Sequence, residues 1–251
     1  MKNIKCGIRK TAVIMAMPVT VEVKSDKQKV TSDKVNKDVE GVFKYLRWVD
    51  EKFSPFKKTS EVSKYNRGEE YSKGLVEILS LCEKTKKQTN GYFDIKKFDG
   101  TIDPSGLVKG WAIYQGAQIL KKKGYNNFFV DVAGDAEIIG KKWKWGIRNP
   151  FNKSEIVKVL SLSNCGIATS GTYERGQHVW NPITKSSEIT DIISISVIGQ
   201  NVYEADRFAT AAFAMGRDGI SFIESKKNLE GYMIDKDGVA TYTTGFEKYL
   251  V

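Results

Sequence analysis

The sequence predicts an α+β protein in which antiparallel sheets are flanked by helices. Three observations point there. Helical periods come in succession through the first half of the chain, strand signals punctuated by turn residues come in succession after it, and the composition can fill a sizeable core. The chain has 251 residues, 41% hydrophobic and 11% aromatic, which excludes disordered and fibrous classes and fits a single domain over 1–251.

Residues 17–23 alternate apolar and polar from Val19 on and are β-branched, a half-buried strand that Pro18 is expected to begin at a sheet edge. Over 34–53 the apolar residues Val35, Val39, Val42, Phe43, Leu46, Val49 and Phe53 recur at helical spacing until Ser54 and Pro55 stop the run. A polar passage over 56–66 precedes a second amphipathic helix over 74–89, closed by the turn pair Asn90 and Gly91. A third helix opens within 102–110 and runs to about 122. Asp103 or Ser105 serves as ordinary N-cap material there, whereas Lys109 in a first turn opposes the macrodipole and makes sense beside an anion.

Residues 127–139 read as strand, turn and strand. Strands follow at 143–147, 157–162 and 192–198, then a small-residue helix over 203–216 with Gly216 as C-cap, and a hairpin around 236–238. Asp206 and Thr210 are four apart and share a helix face as hard oxygen donors. Taken singly they serve more commonly as a dipole-favouring carboxylate and a hydroxyl bonded one turn back, and spacing alone favours that use. Residues 165–182 gather hydroxylated and ionisable side chains around His178, the chain's one histidine, and three glycines there argue for an active-site loop.

With 40 Lys and Arg against 30 Asp and Glu, the net charge of +10 favours anionic partners, but no nucleic-acid module is recognisable. Cys6, Cys82 and Cys165 are too few and too widely spaced for a disulfide framework or zinc cluster. No apolar run approaches the ~20 residues of a spanning helix. The expectation is a cytoplasmic protein without a membrane anchor.

Taken together the segments resemble the ApbE family of FAD:protein FMN transferases from 17 to 250. Met17-Pro18-Val19-Thr20 looks like the family's Met-Gly-Thr strand, 54–66 like its Ser-x-Tyr…Ser…Asn element, and 91–94 like Gly-x-Phe-Asp. Residues 103–110 carry Asp-x-x-Gly-x-x-Lys-Gly, 169–175 Thr-Ser-Gly-x-Tyr-Glu-Arg, 178–182 the His-x-x-Asp-Pro element, 205–210 Ala-Asp-x-x-x-Thr and 245–250 Gly-Phe-x-x-Tyr-Leu.

The resemblance implies a T-fold-like ApbE architecture and FAD contacts from Met17, Phe56, Tyr92, Phe93, Asp94, Asp103, Lys109 and Trp180. It further implies a Mg²⁺ site from Asp206, Thr210 and the Gly106 carbonyl, with His178 as base, and FMN transfer from FAD to a Thr or Ser hydroxyl of an acceptor protein with release of AMP. An FAD pyrophosphatase and a non-catalytic flavin-delivery protein are the competing readings. The chain departs from the family pattern at Pro18, Phe56, Asn181 and 131–134. Phe56 keeps a ring without a hydroxyl, and Asn181 removes a negative charge near His178.

Overall fold

The computed structural model describes residues 6–25, 31–172, 179–185 and 189–251. An eight-stranded sheet organises them, in the order β1-β2-β3-β4-β7-β8-β9-β10. Its strands are β1 (Cys6–Ile14), β2 (Met17–Ser25), β3 (Phe128–Val132), β4 (Asp135–Ile139), β7 (Cys165–Gly171), β8 (Ile192–Gly199), β9 (Glu230–Asp235) and β10 (Ala240–Tyr242). Every neighbouring pair is antiparallel, as expected. A separate pair, β5 (Trp143–Arg148) and β6 (Ile156–Leu162), is also antiparallel.

The helices are α1 (Ser32–Phe53), α2 (Glu61–Asn66), α3 (Lys73–Gln88), α4 (Ser105–Lys122), α5 (Val202–Ala214) and α6 (Asp218–Glu224), with a 3₁₀ turn at Phe246–Tyr249. The 3.6-residue period puts Val39, Val42, Leu46 and Val49 of α1 on one side. That side is buried with Val19, Val21 and Val23 of β2, Val130 of β3, and Leu107, Ile113 and Leu120 of α4. Each such aliphatic side chain, once fully buried, contributes roughly 1.5–3 kcal/mol. A second cluster joins α5 and α6 to Ile195 and Val197 of β8. A third packs Trp143, Ile147, Leu160 and Leu162 of the β5–β6 pair on Phe129, Ile138 and Ile167. Because strand residues alternate between faces, the clusters leave helices on one face of the large sheet and the small pair on the other.

Four expectations need correction. Pro18 does not lie on an edge strand, since β2 pairs with both β1 and β3. Met15 and Ala16, both at φ 56°, form the two-residue loop of the β1–β2 hairpin. Its closing pair is Ile14 and Met17, so by antiparallel alternation the amide position of Pro18 points away from β1, while pairing to β3 starts only at Val19. Proline there forfeits no ladder bond.

The stretch 165–171 is not loop but interior strand, between β4 and β8. Tertiary pairing on both sides overrides its glycines. The polar passage contains α2, which Ser60 caps by accepting from the Ser63 amide at 3.1 Å. Gly216 is not the C-cap of α5. Met215 holds that position, and Gly216 follows it at φ 65°. Strand β1 and helix α6 carry no signal recognised in the sequence.

Candidate active site

A cavity of about 310 Å³ opens where the ends of β2, β3, β4, β5 and β7 meet the N-terminal part of α4 and the middle of α5. The chain enters its wall by a local device. Thr89, fully buried, donates to the Thr85 carbonyl at 2.9 Å and accepts from the Phe93 amide at 3.1 Å. Asn90 and Gly91 take positive φ between those bonds, so Tyr92, Phe93 and Asp94 turn back to line the cavity.

Asp206 and Thr210 face the cavity from α5, whose first turn is capped by Asn201 accepting from the Glu204 amide at 2.9 Å. The Asp206 carboxylate accepts from the Gly110 amide of α4 at 2.6 Å, and the Thr210 hydroxyl donates to the Gly106 carbonyl at 3.3 Å. The local alternative for Thr210, a bond back to its own helix, is therefore not used. A methyl at Gly110 would stand 2.6 Å from Asp206 Cβ and 2.8 Å from the Val202 carbonyl oxygen, so only glycine permits this approach of α4 to α5.

On its other side α5 presses on β7, where a methyl at Gly166 would lie 1.9 Å from the Val202 nitrogen. Glu137, the cross-strand partner of Gly166, accepts from that nitrogen at 2.7 Å. Burial pushes its carboxyl up to about 8 against the opposing Val202 amide. A carboxylate, a hydroxyl and a carbonyl thus converge at one end of the cavity. This hard, oxygen-only donor set, poor in formal charge, suits Mg²⁺, which takes one or two carboxylates and fills its remaining positions with substrate oxygens and water. Among the described residues there is no group of three or more His, Cys, Asp or Glu placed to hold a metal.

Lys109 is the fifth residue of α4, past its first turn rather than in it. It already has a counter-ion. Its Nζ lies 2.7 Å from Asp135 Oδ2, and Asp135, 2% exposed, also accepts from the Thr169 amide at 3.0 Å. The charge of Lys109 is thus balanced within the protein, and the pair ties α4, β4 and β7 together at the wall. Across the β3–β4 turn, burial raises the Asp131 carboxyl to about 6, opposed by the Gly134 amide and by Lys109 and Arg148, and aided by Asp135. The N-cap of α4 is Pro104, not Asp103 or Ser105, and carries no side-chain cap bond. Asp103, one residue earlier, accepts from the Ser105 amide at 3.0 Å and pairs with Lys97 at 3.3 Å. Asp94 pairs with Lys86 at 2.7 Å.

Met17, Tyr92, Phe93, Asp94, Asp103, Gly106, Lys109, Trp180, Asp206 and Thr210 all line this one cavity. Phe56 does not; its ring is 84% exposed on the turn after α1. His178 lies outside the described residues. Asn181 accepts from the Ile183 and Thr184 amides at 2.9 and 3.1 Å, a turn-forming use of the side chain. The Trp180 indole Nε1 is buried without a hydrogen-bond partner among the described residues. Sequence reasoning missed Asp135, Trp145 and Arg148, which reach the cavity from β4 and β5. Only the strand assignments hinted at Asp135, and nothing local marked the other two.

A sheet-end cleft walled by aromatic rings, a lysine and convergent hard oxygens marks the candidate site of this α+β protein. The ApbE family profile matches residues 15–97 and 96–233, and the chain belongs to that family. It is 24% identical to a FAD:protein FMN transferase of Haemophilus influenzae, over 87% of this chain and 84% of that protein. It is 27% identical to one of Escherichia coli K12, over 60% of this chain and 48%, about half, of that protein's length. Among solved structures, the flavin transferase ApbE from Vibrio cholerae superposes with a TM-score of 0.83 at 18% identity, covering 98% of this chain and all of that one. The ApbE protein from Thermotoga maritima gives 0.84 at 20%, again over 98% of this chain and 100% of that one. These likenesses establish the fold.

Proposed function

We propose that this chain is a Mg²⁺-dependent FAD:protein FMN transferase acting as one domain over 1–251, with FAD as substrate and a Thr or Ser hydroxyl of an acceptor protein as the site of attachment. The observation that carries this reading is the convergence of Lys109, Asp206, Thr210 and the Gly106 carbonyl with Tyr92, Phe93 and Trp180 on one cavity, in a chain whose curated relatives bear that activity in their names. The rings give the isoalloxazine and adenine apolar surfaces, and Lys109 supplies positive charge to the pyrophosphate. Asp206, Thr210 and the Gly106 carbonyl would hold Mg²⁺, which when bound neutralises the oxygens of the reacting phosphates.

In the reaction, the acceptor hydroxyl oxygen bonds to the phosphorus of the FMN half while the bond from that phosphorus to the bridging oxygen breaks. AMP leaves with the electron pair and the proton goes to His178. An imidazole with an ordinary pKa of ~6.5 suits a general base at neutral pH. Met17, Asp94 and Asp103 complete the FAD-contacting set. Phe56, exposed on the turn after α1, is carried in that set by the family resemblance alone. Cys82 and Cys165 are buried and unbridged, which suits the cytoplasm. No helix among the described residues is long and apolar enough to cross a membrane.

The test is purified protein with FAD, Mg²⁺ and an acceptor carrying a threonine site. Covalent in-gel flavin fluorescence on the acceptor is expected, lost in His178→Ala. Bound FAD with no covalent product on any acceptor rejects the transferase reading. Release of free FMN and AMP without acceptor would mark a pyrophosphatase instead.

A further inference from the structure

Asn66 stands at the C-terminal end of α2 and does not line the cavity. Its side-chain amide nevertheless makes both bonds of a strand-like pairing with a residue 36 positions away. Asn66 Nδ2 donates to the Ile102 carbonyl at 3.1 Å, and Asn66 Oδ1 accepts from the Ile102 amide at 2.8 Å.

Ile102 belongs to the excursion between Ile95 and Asp103, which the Asp103 amide closes by donating to the Ile95 carbonyl at 2.7 Å and which bridges Lys96 to Ile102. Ile95 and Asp103 both face the cavity, and Phe98 in the same excursion lies with its ring centre 6.4 Å from that of Trp180, another lining residue. Apart from these contacts the excursion is tied mainly to itself. Asp99 accepts from the Thr101 amide and hydroxyl, and Lys97 bonds to Thr101 and Asp103. Two side chains from outside hold this wall. Asp94 stands at its start, its carboxylate accepting from the Lys96 amide at 2.9 Å. Asn66 stands at its end, and its amide both donates to and accepts from one residue, which fixes orientation as well as distance.

We infer that Asn66 is a positioning residue for flavin-nucleotide binding, acting through the main chain of Ile102 to hold Asp103, Ile95 and the Phe98–Trp180 contact as one wall of the cavity. The inference rests on the reading of the cavity as an FAD site, and the experiment keeps the two separable. FAD affinity is measured by quenching of flavin fluorescence for wild type, Asn66→Ala, Asp103→Ala and the double variant, alongside unfolding midpoints. Amide hydrogen exchange over 95–103 is followed without ligand.

Loss of two hydrogen bonds to one wall is expected to weaken FAD binding by about 5- to 30-fold. The double variant should be little weaker than Asp103→Ala alone, since both act through one element. Exchange at Ile102 and Asp103 should speed up while amides of α3 and β8 keep their rates. Asn66→Gln, which retains donor and acceptor on a longer arm, should be intermediate, and it takes the place of Asn66→Ala if that variant does not fold.

A folded variant at position 66 with FAD affinity within twofold of wild type, or effects of Asn66→Ala and Asp103→Ala that simply multiply, would overturn the inference while leaving the FAD site standing. Wild type that binds no FAD removes the functional reading and the inference with it.

Discussion

Glu137→Gln tests the anchoring of α5, the helix that carries Asp206 and Thr210. Glu137 is 3% exposed, and its Oε2 accepts from the Val202 amide at 2.7 Å, so the side chain occupies an otherwise unpaired donor of the helix's first turn. Burial raises its carboxyl from the usual 4.5 to about 8, over the opposing effects of the Val202 amide and Lys121. A raised carboxyl means that the folded protein binds the proton more tightly than the unfolded chain. Its contribution is therefore complete below about pH 4.5 and lost as pH rises through about 8.

At 1.36 kcal/mol per pH unit that interval corresponds to roughly 5 kcal/mol. The positive end of α5 favours the ionised form and reduces the figure to about 2–4 kcal/mol. Glutamine keeps an acceptor for Val202 and never ionises. The assay is urea unfolding of both proteins at pH 5, 7 and 9, with the difference taken at each pH so that titrations common to both cancel. The two should be nearly equal at pH 5, with Glu137→Gln the more stable by about 2–4 kcal/mol at pH 9. A difference that stays constant from pH 5 to 9, or a variant weaker than wild type at pH 9, would refute the account of Glu137 as a neutral buried acid.

Gly110→Ala gains helix propensity of about 1 kcal/mol. The new methyl must displace Asp206 or the Val202 carbonyl, so a net loss of about 1–3 kcal/mol is expected by thermal unfolding, together with a higher Mg²⁺ concentration needed for half-maximal turnover. Asp206→Asn keeps an acceptor for the Gly110 amide and should unfold near the wild-type midpoint. It should nevertheless lose about 100-fold or more in rate at fixed Mg²⁺, recovered in part by raising the metal concentration, because a neutral oxygen replaces the one carboxylate of the set. Equal Mg²⁺ titrations for Asp206→Asn and wild type would remove Asp206 from that role.

Much of the cavity's inventory is legible along the chain because local rules generate it. The Thr89, Asn90 and Gly91 turn delivers Tyr92, Phe93 and Asp94, and helical spacing places Asp206 and Thr210 on one face of α5. What local rules could not supply is the partner of each group. Lys109 looked like a cation awaiting an anion, yet Asp135 from β4 sits 2.7 Å away. Phe56 looked like a lining ring, yet its turn leaves it exposed. Asn66 sat in a recognised element with no visible task until Ile102 came beside it.

The sequence by itself determined the α1 and α3 helices, the antiparallel strand succession and the chemical types gathered near the cavity, since periodicity, turn residues and side-chain chemistry are properties of short stretches. Only the tertiary structure decided that residues 165–171 become interior strand, that α4 and α5 close to contact at Gly110, and that the Gly106 carbonyl meets the Thr210 hydroxyl. The physical reason is that backbone pairing and close packing depend on surfaces contributed by segments some thirty to a hundred residues apart, whose mutual fit no local pattern encodes.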